Sequence, residues 1–246
     1  MRTTDHLHAL TREGEALLSA AERAGWDATV PTCPGWRVRD LVIHQGHVHR
    51  WAADTVAERR AAPAPRASDD VPDATLARWY REGHARLLDT LSGAPEDVEC
   101  WTFLPGSPTP LAFWARRQAH ETAIHRVDAE LAAGTERPEV DAALAADGID
   151  ELLAGILTRD RSRLRAEKPC VLRVRTRDAG TERTWTVRVT SAVPAVTEGG
   201  HGRADCTVSG PASLLYTALW NRAELTAATV EGDPGLAARW RELSAV

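Results

Sequence analysis

Apolar residues recur at three- and four-residue intervals through the first two thirds of the chain, which predicts amphipathic helices there. Leu7, Leu10, Leu17, Leu18 and Ala21 share helical spacing, and Gly25 supplies a stop. A turn over TVPTCPGW leads into a second helical segment from Val38 to about Arg60, and the Ala/Pro-rich stretch 61–73 reads as a loop. A third segment, from Asp73 to about Leu91, sets Leu76, Trp79, Tyr80, Leu87, Leu88 and Leu91 near one stripe. After the break at LPGSPTP a fourth helix runs from about Pro110 to Ala133, closed by Gly134. Four long helices with moderate loops favour a helical bundle. A further helix over about 139–158 belongs with it and links to the remaining third of the chain, giving a first domain over 1–158.

From Pro169 the period changes to two. VLRVRT and TWTVRVT alternate on either side of the turn RDAGTER, the signature of a hairpin. ADCTVSG is another short run, followed by a helix starting at Pro211, a residue favoured in the first turn. TAATVEG then reads as a strand and PGLAARWRELSAV as a terminal helix. The expectation is a small α+β domain over 163–246, and a two-domain chain overall.

Composition narrows the function. Of 246 residues, 43% are hydrophobic and 26% charged, ordinary for a globular chain. Thirty basic against 35 acidic residues give a net charge of −5, so no nucleic-acid partner is expected, because phosphate contacts need a concentrated positive surface. The first 25 residues lack a continuous apolar core, so no signal peptide is expected. No apolar run is long enough for a membrane span. Cys33, Cys100, Cys170 and Cys206 lack metal-binding spacing or a disulfide framework. A reduced, cytoplasmic chain fits best.

The nine histidines carry the chemistry. At about 100° per residue, His44 lies within about 60° of Leu41, Val48 and Trp51, and so points along the apolar face of its helix. His47 lies at the edge of that face, and His49, about 140° away, belongs to a different one. In AHETAIHRVDAE the zinc-protease spacing fails, because His120 and His125 are five apart rather than four. Glu121 and His125 are the i, i+4 pair and share a face with Trp114 and Gln118. His44, Glu121 and His125 would make a three-donor set for Zn²⁺ or another divalent metal, with a position left for water or substrate. The same residues also allow a plainer arrangement, with buried histidines held by hydrogen bonds and Glu121 paired to an arginine.

VPTCPGWRVRDLVIHQGHVHRWA, the HETAIHRVDAE segment and the terminal GPASLLYTALWNRAELTAATVEGDPGLAARW together resemble the mycothiol-dependent maleylpyruvate isomerase family. The resemblance covers nearly the whole chain in order. It implies a DinB-like metal-binding four-helix bundle and, after it, an α+β domain similar to sterol-carrier proteins. It implies zinc ligands at His44, Glu121 and His125, with His47, His49 and His120 outside the ligand set, and mycothiol as the thiol cofactor. It also implies a basic residue from the second domain facing the metal, for which Arg222 in LWNRAEL is the candidate. Trp36 is expected to pack the start of its helix and Cys33 to be a small buried residue. The expected activity is metal-assisted thiol chemistry on a small electrophilic substrate, by cis-trans isomerisation or thiol transfer. Two rivals are a zinc-dependent hydrolase and a non-catalytic protein that binds a small molecule or lipid.

Overall fold

The structure, a computed structural model, describes residues 1–104, 106–178, 180 and 182–244. Pro105, Ala179, Thr181, Ala245 and Val246, which fall in the predicted LPGSPTP break, the RDAGTER turn and the terminal helix, lie outside the described residues. The chain divides into two compact units, Met1–Pro138 and Glu139–Val246.

The first unit holds α1 (Thr3–Ala24), α2 (Val38–Ala57), α3 (Asp73–Gly93) and α4 (Pro110–Ala132). α1 packs along α4 and α2 along α3, with further contacts between α2 and α4. Leu10, Leu17, Leu41, Leu76, Leu87, Phe113 and Trp114 fill the interior. Removing such side chains from water supplies most of the favourable energy of the bundle. Starts of helices are fixed locally. Thr109 Oγ1 accepts from the Ala112 amide ahead of Pro110, and Asp40 accepts from the Arg37 amide at 2.8 Å. Gly46 allows α2 to approach α3 closely, since a Cβ there would stand 2.2 Å from the Trp79 ring.

Between α1 and α2, the TVPTCPGW segment folds back on itself. Val30 N donates to Trp36 O, Cys33 N to Val30 O and Trp36 N to Cys33 O. Gly35 sits at φ 85°, a region where a Cβ would strain the backbone. The turn thereby delivers Thr32, Cys33 and Trp36 to one end of the bundle.

The second unit begins earlier than the sequence pattern suggests. The helix expected to extend the bundle is α5 (Ala142–Asp150), continuing as a π-helical turn over Glu151–Ile156. Its apolar residues, including Leu144 and Ile149, are buried where α5 packs against α6 (Ala212–Leu219), and Val140 N donates to Ser213 Oγ. The sheet contains β1 (Cys170–Thr176), β2 (Thr184–Val189), β3 (Ala195–Glu198), β4 (Cys206–Gly210) and β5 (Thr229–Gly232), in the order β3-β2-β1-β4-β5. The predicted hairpin pairs Cys170 with Val189 through Arg175 with Thr184. β1 and β4 run parallel, which the intervening β2 and β3 and their connections permit; the other pairs are antiparallel. Alternation sends Leu172, Val174, Trp185, Val187 and Val208 inward, and leaves Arg175 and Arg188 exposed. The terminal helix is two short pieces, α7 (Pro234–Ala238) and α8 (Trp240–Ser244).

Candidate metal centre

Nearly two turns into α2 and midway along α4, three side chains meet. His44 Nε2 and His125 Nε2 each lie 3.7 Å from the same oxygen, Glu121 Oε1. All three donor atoms fall within 4.8 Å of one another. A separation of 3.7 Å is too long for a hydrogen bond. It is close to the spacing of about 3.3–3.4 Å that 2.0–2.1 Å bonds impose between tetrahedral zinc ligands. Two imidazoles and a carboxylate are a donor set that suits a divalent first-row ion, and three protein donors leave a further position open. The residues present therefore fit such a metal.

The surroundings hold each donor in place. Arg117, one turn before Glu121 and 4% exposed, donates to Glu121 Oε2 at 2.5 Å, so Oε1 is the oxygen turned to the imidazoles. Desolvation pushes the Glu121 carboxyl up, but the Arg117 guanidinium and then the two imidazoles outweigh it and hold it well below the ordinary range. Burial pushes His125 down, yet the Asp128 and Glu121 carboxylates outweigh it and raise its pKa. His125 Nδ1 lies 2.9 Å from Asp128 Oδ2, and Thr32 Oγ1 and Cys33 Sγ reach the same carboxylate from the turn before α2. Trp36 spans the pair of imidazoles, with its ring centroid 5.0 Å from that of His44 and 6.2 Å from that of His125.

The depth of His44 differs from the helical-wheel expectation. His44 sits at the margin of the bundle with a half-buried side chain, whereas His49 is fully buried. The reason is that α2 packs on both α3 and α4, so its buried arc is wider than one apolar stripe. The His49 ring is accommodated there by Gln45 Nε2 at 2.9 Å and Thr122 Oγ1 at 3.0 Å. Trp36 covers the imidazoles rather than only packing the helix start, and Cys33 is half-buried beside Asp128. His47 reaches the Asp69 carbonyl and packs on Trp79, and His120 lies within the core beside His6, both outside the trio. In the second unit Arg222 is half-buried, with Nη1 donating to the Trp220 carbonyl at 2.8 Å.

A cavity of about 760 Å³ opens beside the trio, bordered by Trp36, Asp40, His44, His47, Arg66 and Asp70. Its outer wall is the Ala/Pro-rich loop, tied down by Trp51 Nε1 to Ala64 O, His47 to Asp69 O and Arg39 to Val71 O. Sequence reasoning allowed for an arginine partner of Glu121 without naming Arg117, and it missed Asp128. The spacings R-x-x-x-E and H-x-x-D on α4 are their only traces in the sequence, and both are common on solvated helix faces.

Residues 7–130 match the model of the mycothiol maleylpyruvate isomerase N-terminal domain, and residues 143–239 match the MDMPI C-terminal domain. Two solved structures share the fold. A crystal structure of the mycothiol-dependent maleylpyruvate isomerase is 14% identical, with a TM-score of 0.61, and the match covers 94% of this chain and 93% of that one. A histidine-to-alanine mutant of the mycothiol-dependent maleylpyruvate isomerase is 12% identical, with a TM-score of 0.58 and the same coverage. No curated protein sequence matches the chain. Among the described residues no helix is long and apolar enough to cross a membrane.

Proposed function

The chain belongs to the mycothiol maleylpyruvate isomerase family, and on that premise we propose that its helical unit is a metal-dependent site for activating a thiol. The observation that carries the proposal is the approach of two imidazole nitrogens to one carboxylate oxygen at 3.7 Å each. When bound, a divalent cation with an open position favours thiolate over thiol, and the thiolate is the nucleophile. His44 and His125 would offer their Nε2 atoms to the ion, and Glu121 would offer an oxygen kept ionised by Arg117. Charge supports a thiolate as the fourth partner. A doubly positive ion, the Glu121 carboxylate and one thiolate sum to zero, while Arg117 and Asp128 offset each other.

The reaction rests on sulfur chemistry. Thiolate sulfur adds to a cis double bond conjugated with a carbonyl, the resulting single bond rotates, and expulsion of the same sulfur returns the trans isomer with the thiol unchanged. Maleylpyruvate is one such substrate, and transfer of the thiol to another electrophile is the same chemistry stopped after addition. Trp36 and the tethered loop border the cavity through which these reactants approach His44. Arg222 is the proposed clamp for a substrate carboxylate, by charge-assisted hydrogen bonds. Mycothiol is the proposed thiol, and a reducing cytoplasm suits four free cysteines.

Cobalt substitution tests the proposal. Adding mycothiol to the cobalt-loaded protein should produce a sulfur-to-metal charge-transfer band. A spectrum unchanged by thiol, together with thiol-independent hydrolysis of ester or amide substrates, would place the chain among water-activating metal hydrolases instead.

A further inference from the structure

We infer that Asp128 is the positioning carboxylate of the metal centre and that it couples the turn over residues 30–36 to His125. This rests on the proposed metal site. Asp128 is 0% exposed, and a carboxylate so placed persists only where charge and hydrogen bonds replace lost water. Its donors arrive from two directions. From its own helix, His125 Nδ1–H donates to Oδ2 at 2.9 Å. From the turn, Thr32 Oγ1 donates to Oδ1 at 2.5 Å and Cys33 Sγ approaches Oδ2 at 3.5 Å.

The bond to Nδ1 places the imidazole proton on the far side of the ring, so the lone pair sits on Nε2, the atom facing Glu121 Oε1. It also fixes rotation of the ring about its side-chain bonds. A carboxylate on the distal nitrogen makes the other nitrogen a stronger donor, and losing such a partner typically weakens metal binding by about 10–100-fold. The turn extends this arrangement. The backbone hydrogen bonds that aim Thr32 and Cys33 at Asp128 are those that carry Trp36 over His44 and His125. Asp128 is thus where the position of the turn and the orientation of a ligand become one structural variable. Neither Thr32 nor Asp128 needs to touch a reactant for this.

The test measures zinc affinity by competition with a chromophoric chelator, for the full chain and for Asp128→Asn, Thr32→Val and the double variant. Asp128→Asn should bind zinc about 10–100-fold more weakly. Thr32→Val, which leaves the carboxylate in place, should lose a smaller factor. In the Asp128→Asn background the threonine change should have almost no further effect, because the hydroxyl acts through the carboxylate. Cobalt absorption of the saturated variants should match that of the unmodified chain, since the three donors are intact. Unfolding in the presence of chelator checks that each variant folds, a readout that a purely structural role would move without changing the affinity cycle. Wild-type affinity in Asp128→Asn overturns the inference, as do two fully additive losses. Absence of zinc binding by the unmodified chain sinks the metal-site proposal itself and this inference with it, a result distinct from the other two.

Discussion

Replacing His44 by alanine separates metal binding from folding. The side chain is half-buried at the margin of the bundle, where it touches Trp36 and faces Glu121. Its removal from the metal-free protein should therefore change stability by less than about 1 kcal/mol. The metal-dependent part is larger. A ligand that binds only the native state stabilises it by about 2.7 kcal/mol at one hundred times its dissociation constant. For a unit of this length, 1 kcal/mol shifts the melting temperature by roughly 4 °C, so saturating zinc should raise it by about 10 °C. With one donor of three removed, that increment should all but vanish. His120→Ala gives the opposite pattern. His120 is fully buried beside His6, so truncation should lower the basal melting temperature by an amount on the order of 1–3 kcal/mol in stability while leaving the zinc increment whole. The assay is thermal unfolding by circular dichroism with zinc and with chelator, alongside zinc content per chain. A full chelator-sensitive increment in His44→Ala, or its loss in His120→Ala, would refute the ligand assignment.

Acidification from pH 6.5 to pH 5 should destabilise the metal-free protein. Burial pushes His49 well below the ordinary histidine pKa, with nearby His84 and Arg50 adding to it, and burial also lowers His84 against the pull of the Leu10 carbonyl. In that window the unfolded chain binds more protons, so each group removes up to about 1.4 kcal/mol per pH unit as pH falls. His125, whose folded pKa is raised, acts above about pH 6.5, where its contribution is lost as pH rises, and so does not mask the effect. A urea midpoint flat between these pH values, or one equally steep in His49→Leu, would count against it. Gly46→Ala should destabilise despite a gain of about 1 kcal/mol in helix propensity. The new Cβ meets a Trp79 ring held between Arg50, at 3.9 Å, and His47, and such overpacking typically costs about 1–3 kcal/mol. A raised melting temperature would show that α2 and α3 move apart freely. Arg222→Ala should lower turnover by about 10–100-fold, the value of a charged hydrogen bond of roughly 1.5–3 kcal/mol, with zinc per chain unchanged; equal loss of both would make Arg222 a structural residue.

The helices and the β1–β2 hairpin are legible in the sequence because each rests on local periodicity, and periodicity is a property of neighbours in the chain. β3 leaves no such trace: in Ala195–Glu198 three of four residues are exposed, so there is little inward face to carry an alternating signal. The division between units is displaced for a related reason. An apolar helix over 142–150 reads the same whether it packs on a bundle or on α6, and only the partner decides. The pairing of Glu121 with His125 can be read from a spacing of four on one helix. Pairing them with His44 needs a helix wheel that sets His44 on the apolar face, and the structure does bring it to Glu121, though at the margin of the bundle and with His49 the more deeply buried of the two. The wheel does not foresee the depth of His49 because it treats polarity as a guide to exposure. In this bundle Gln45, His49 and Thr122 hydrogen-bond to one another in the interior, with Gln45 Oε1 and His49 Nδ1 left without a partner among the described residues, so three polar positions are buried where an apolar stripe would be expected. Asp128 is the extreme case of the same difficulty. On the chain it is one acidic residue in a charged stretch, three positions after a histidine. Part of what makes its charge tolerable inside the protein comes from His125 on its own helix, and part from Thr32 and Cys33, in a turn that no local pattern links to α4. Donor atoms at a metal centre can leave a mark in spacing because a metal requires particular side chains at particular intervals. The groups that orient those donors answer only to geometry, and geometry of that kind becomes visible once distant segments have met.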